Sequence, residues 1–126
     1  MNATAATTGR SYPLVAVVSS VPMIFEALRD ALGVFADVQS FPARRGTDGL
    51  LRSIRPAAVV VDDEDLAEAQ AVAQEVGFAL VHLALAEGCV RVLRGGTWII
   101  VDEDGGLKPE TVRDVVAAGL FAKDDA

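Results

Sequence analysis

From Tyr12 onward, short runs of continuously apolar, β-branched residues alternate with runs in which apolar residues recur every three or four positions. The first run, Leu14 to Val18, is apolar at every position, the pattern of a strand buried on both faces. Ser19 or Ser20 is then placed to cap a helix with Pro22 in its first turn. Met23, Ile24, Ala27, Leu28, Ala31 and Leu32 recur at helical spacing on that segment, and Gly33 ends it. A weaker strand follows over residues 36–41. Thr47 is placed to cap a short helix carrying Leu50, Leu51 and Ile54. Pro56 opens the strongest strand pattern, residues 57–61, which runs into Asp62, Asp63, Glu64 and Asp65. Leu66, Ala69, Val72, Ala73 and Val76 share a helical face that stops at Gly77. Residues 78–85 form a fourth apolar strand and 98–101 a fifth. Pro109 and Glu110 start a last helix with Val112, Val115, Val116 and Leu120 on one face.

Strands alternating with helices through short connections predict βαβ units. Right-handed crossovers then place helices on both faces of the sheet. The expected fold is α/β: a doubly wound, mostly parallel five-stranded sheet of flavodoxin-like type. One stretch breaks the pattern. Residues 87–94 make a poor helix face, whereas Val90, Arg91, Val92 and Leu93 alternate like a strand. Arg94, Gly95, Gly96 and Thr97 then read as a hairpin turn. The fourth helix is therefore either one short turn or replaced by a strand. Residues 1–11 show no periodicity and read as a flexible leader, 12–122 as one domain and 123–126 as a tail.

Composition narrows the function classes. The chain has 126 residues, 52% of them hydrophobic, and 18 acidic against 11 basic side chains, for a net charge of -7. That apolar fraction supports a packed core and excludes a disordered acidic chain. The acidic balance argues against nonspecific nucleic-acid binding and against docking on anionic membrane. No apolar run reaches the length of a membrane span. A single cysteine, Cys89, excludes an internal disulfide framework and points to a reducing, cytoplasmic location.

In doubly wound sheets, sites form at the carboxyl ends of the strands. Here those ends hold Ser19 and Ser20, then Asp62 and Asp63, then Ala84 and Leu85, and finally Val101 with Asp102, Glu103 and Asp104. Seven of the 18 acids lie in the runs 62–65 and 102–104. The run from Val17 to Pro22 before an amphipathic helix resembles the opening of a response-regulator receiver domain. Residues 56–62 resemble the receiver strand that ends in the phospho-accepting aspartate, and Trp98 resembles the aromatic switch position. The resemblance spans residues 14–120 in pattern and order.

It implies a receiver-like fold with Asp62 as candidate phospho-acceptor, and it also shows what is altered. A receiver holds Mg²⁺ with an acidic pair where this chain has Ser19 and Ser20, and hydroxyls are poor ligands for that cation. Ala84 stands where a receiver has Ser or Thr. Val101 or Asp102 stands where it has Lys. Without that positive charge, Asp62 has little to stabilise a phosphoryl transition state. The resemblance thus implies a stand-alone pseudo-receiver, bacterial in type and not an enzyme, acting in signal transduction through an unidentified protein partner, without a cofactor and compatible with a homodimer. Two alternatives stay open. One is phosphorylation of Asp62 with an unusual metal site built from Asp62, Asp63 and Asp102. The other is a small-ligand-binding flavodoxin-like module.

Other candidates carry plainer readings. Asp62 reads equally as a strand-end residue helping to start the next helix. His82, inside the fourth strand, reads as packed or hydrogen-bonded. Cys89 has no cysteine partner. Trp98 is either a switch and interface residue or core packing. Arg44, Arg45, Arg52 and Arg55 read as a solvated basic face or as a site for an acidic group.

Overall fold

The computed structural model of the chain describes residues 12–41, 46–101 and 107–121. The expected leader and tail lie outside the described residues. Six strands form one sheet: β1 (Leu14–Val18), β2 (Asp37–Phe41), β3 (Ala58–Val61), β4 (Ala79–Ala84), β5 (Cys89–Arg94) and β6 (Thr97–Val101). Four helices accompany them: α1 (Pro22–Leu32), α2 (Thr47–Ile54), α3 (Leu66–Val76) and α4 (Pro109–Phe121). The strand order is β2-β1-β3-β4-β5-β6.

The α/β class holds, but the sheet has six strands and is mixed. β2, β1, β3 and β4 are mutually parallel. β5 then pairs antiparallel with β4, and β6 antiparallel with β5. Loop length is the reason. A parallel return needs a crossover of a dozen or more residues, whereas residues 85–88 and 95–96 leave room only for hairpins. In the first turn, Gly88 N–H donates to the Ala84 carbonyl at 2.7 Å, with Gly88 at φ 71. In the second, Gly95 and Gly96 sit at φ 57 and 82, the two left-handed positions of the tightest hairpin. A strand thus takes the place of the fourth helix.

Successive strand residues face opposite sides, so a fully buried strand feeds two cores. Val15, Val17, Ala58, Val60, Val81 and Leu83 pack with Leu28 and Leu32 of α1 and Val112 and Val116 of α4. Ala16, Val18, Val59, Val61 and Leu80 pack on the other face with Leu51 of α2 and Ala69 and Val72 of α3. Val15, Val18 and all four residues of β3 have no exposed surface. At roughly 1.5–3 kcal/mol per buried Val or Leu, this double burial anchors the sheet's centre.

Three local expectations differ. Neither serine caps α1: Val21 is the N-cap, and Pro22 lacks an amide hydrogen that would need a cap. Ser19 Oγ accepts from the Val21 N–H instead, at 3.1 Å. Gly46, in a left-handed conformation, is the N-cap of α2, while Thr47 begins that helix and is buried. Met23 shares the apolar period but lies in the first turn of α1, mostly exposed. Among the described residues no helix is long and apolar enough to cross a membrane.

The Gly95–Gly96 hairpin yields a direct test. Replacing Gly96 by Val puts a β-branched side chain at positive φ. Its expected cost is about 1–2 kcal/mol, read as a lower urea midpoint, whereas Gly95→Asn should cost little.

Candidate functional site

Two polar groups stand at the carboxyl end of the parallel strands. The first surrounds the ends of β1 and β3. Ser19, Asp62, Asp65 and Thr47 are all buried there. Ser19 Oγ is engaged by Val21 N–H. Asp62 Oδ1 accepts from Glu64 N–H at 3.1 Å, which shapes the turn into α3. Ser20 Oγ donates to Glu64 Oε1 at 2.9 Å and ties the β1 loop to that turn. Ser19 and Ser20 thus follow β1 and Asp62 follows its neighbour β3. Ala84 closes β4, buried, two residues past His82 and paired with Cys89.

Asp65 is the costly member. Its Oδ2 is buried with no hydrogen-bond partner. Burial raises its pKa, and the neighbouring charges of Glu68, Asp62 and Glu64 push it the same way, opposed by a hydrogen bond from Thr47.

The second group runs laterally across the sheet. Register places Val61, His82, Arg91 and Ile100 in one row over β3, β4, β5 and β6. His82 is only 3% exposed. Its Nδ1 accepts from Arg91 Nε at 3.1 Å, with Arg91 Nη2 at 2.9 Å. A guanidinium has donors only, so the proton sits on the other imidazole nitrogen. That nitrogen, Nε2, donates to Asp63 Oδ1 at 2.6 Å. Asp63 Oδ2 in turn accepts from Ala86 N–H at 3.3 Å, inside the β4–β5 turn. Trp98 completes the group. Its ring meets His82 edge-on at 5.8 Å, and the Arg91 guanidinium lies 4.7 Å from its centroid. It is half-buried and packs against the α2–α3 core.

His82 is thus both packed and hydrogen-bonded, as its position in an apolar strand suggested. Its partners Asp63 and Arg91 were not visible in the sequence. Pairing Ala84 with Cys89 as the base of a hairpin would have found one of them, because that register sets His82 opposite Arg91.

Other candidates do not converge here. Val101 ends β6, three strand spacings from the β3 row, about 14 Å away. Asp102, Glu103 and Asp104 lie outside the described residues, as do Arg44 and Arg45. Arg52 pairs with Glu75 at 2.8 Å and with Asp48 at 3.4 Å, on an exposed face. Arg55 caps α2 in a left-handed conformation, φ 47. Cys89 is half-buried and free.

The described carboxylates of the strand ends are engaged separately. Asp62 faces its own turn, while Asp63 is held by His82 and Ala86. Among the described residues no three His, Cys, Asp or Glu side chains are grouped to hold a metal ion. The arrangement defines an α/β domain with hydrogen-bonded strand ends. No protein-family model, curated protein or solved structure matches the chain.

Asp65 predicts a pH dependence. A carboxyl whose pKa is raised by folding binds more protons folded than unfolded, so stability falls as pH rises above the unfolded value near pH 4 and through the folded one. Asp65→Asn should remove that loss, raising stability at pH 7 and leaving it unchanged below about pH 4. Thermal melts across pH read both. For the second group, Asp63→Ala leaves His82 Nε2–H buried without its acceptor. The expected loss is about 1–3 kcal/mol by chemical denaturation.

Proposed function

We propose that the chain is a regulatory α/β domain of degenerate receiver type that acts by protein–protein contact, not by Mg²⁺-dependent aspartyl phosphorylation. The observation that carries this reading is the state of the strand-end groups. Ser19 and Asp62 each accept a hydrogen bond from a nearby backbone amide, and Ser20 spends its hydroxyl on Glu64. A phospho-acceptor needs a carboxylate oxygen presented to a metal and to donors that stabilise the transferring oxygens. Asp62 is buried among hydroxyls and further carboxylates instead. The parallel half of the sheet, β2-β1-β3-β4, supports the receiver likeness. The antiparallel β5 and β6 give the domain a different outer edge, with Ile99 exposed on one face and Ile100 on the other. Exposed aliphatic residues beside a Trp and an Arg have the composition of an interaction surface.

The test is incubation with a small acyl phosphate and Mg²⁺, followed by peptide mass spectrometry. The expected result is no phosphoryl gain, with Asp62→Asn leaving the melting profile in Mg²⁺ unchanged relative to Mg²⁺-free buffer. A Mg²⁺-dependent phosphoryl group mapping to Asp62 would overturn the reading.

A further inference from the structure

We infer that Arg91 forms a binding subsite for a small oxyanion, a carboxylate or phosphate group, on the open face of β5 and β6. Arg91 is half-buried. One edge of its guanidinium, Nε with Nη2, is committed to His82 Nδ1. Its Cζ lies over the Trp98 ring, 4.7 Å from the centroid. These contacts hold the group in one orientation before any ligand arrives, which lowers the entropic cost of binding. The opposite edge, between Nη1 and Nη2, is the other geometry in which a guanidinium takes a carboxylate or phosphate with two parallel hydrogen bonds. No carboxylate pairs with Arg91 among the described residues: the ion pairs there use Arg52, His82 and Arg113. Asp63 reaches Arg91 only through the imidazole between them.

A surface cavity of about 460 Å³ opens beside this residue, lined by Glu87, Gly88, Cys89, Arg91 and Ile100. Ile100 is 48% exposed and gives the cavity an apolar wall. Glu87 is the one acid in the lining, and its negative charge opposes an incoming anion. The ligand class is therefore a small molecule with one oxyanion group and an apolar portion. This site is separate from the Asp62 strand end and stands or falls independently of the regulatory reading.

Trp98 is the only tryptophan, so its fluorescence reports on the stacked guanidinium. Full-length protein is titrated with acetate and, separately, with inorganic phosphate at constant ionic strength set by chloride. The expected result is a saturable fluorescence change with at least one of them, and the stronger responder identifies the oxyanion. Arg91→Gln should abolish it. Arg91→Lys should weaken it severalfold, because an ammonium cannot offer two parallel bonds. Glu87→Gln removes that negative charge and should tighten binding about threefold; being on an exposed turn, it tests the site even if Arg91→Gln fails to fold. The inference is overturned by the absence of any saturable change in the wild type. It is equally overturned by a response that persists in folded Arg91→Gln, or by a Glu87→Gln protein that binds no tighter.

Discussion

Only residues 85–88 separate β4 from β5, and a connection that short cannot carry the chain back across the sheet. β5 must therefore run antiparallel, directly beside β4. Much else depends on this. The pairing of Ala84 with Cys89 fixes the register, and the register puts Arg91 beside His82. The buried imidazole then finds a donor on one side and Asp63 on the other. Asp63 uses its second oxygen to hold Ala86, in the same turn that created the pairing. Turn and hydrogen-bond chain thus support each other, and the chain links the end of β3 to the outer strands.

The parts of the fold legible in the sequence are those where burial leaves no choice. β1 and β3 are apolar at every position because helices cover both of their faces, and no other arrangement of those residues is consistent with water on either side. The last hairpin was legible only in part: Gly95 and Gly96 supply the left-handed conformations a two-residue turn needs, but residues 87–96 fitted a short helical turn as well as a strand. The β4–β5 turn was not. Ala86 and Glu87 favour helix as readily as turn, and Gly88 alone does not decide between them. The count of five mostly parallel strands followed from treating 98–101 as the next βα unit, when tertiary pairing made it the second arm of a hairpin.

The strand-end chemistry was legible as a location and not as a set of partners. Asp62, Asp63, Glu64 and Asp65 are four successive acids that composition cannot tell apart. Folding gives each a different environment. Asp62 is buried in its own turn, Asp63 is half-exposed on His82, Glu64 meets Ser20, and Asp65 is buried with one oxygen unsatisfied. These differences arise from which way each side chain leaves the end of β3, a property of backbone geometry beyond the reach of residue type. His82 illustrates the same point. Its burial followed from its neighbours, but its partners came from the turn after β3 and from β5, which a single strand does not reveal.

A metal-dependent phosphoryl acceptor requires several carboxylate oxygens pointed at one ion, and those oxygens repel one another until the ion is present. In this chain Asp62, Asp63 and Glu64 are drawn apart by separate donors, two of which belong to other elements of the fold. Placing acids at positions 19 and 20 would not reverse that dispersal. It would remove the hydroxyl that holds Glu64 and set a like charge beside it. Among the described residues, the one buried side-chain oxygen or nitrogen without a hydrogen-bond partner is Asp65 Oδ2. The strand ends thus act as a brace joining β1, β3, β4 and the β4–β5 turn. Exposed Ile99 and Ile100 and the guanidinium of Arg91 lie instead on the antiparallel strands.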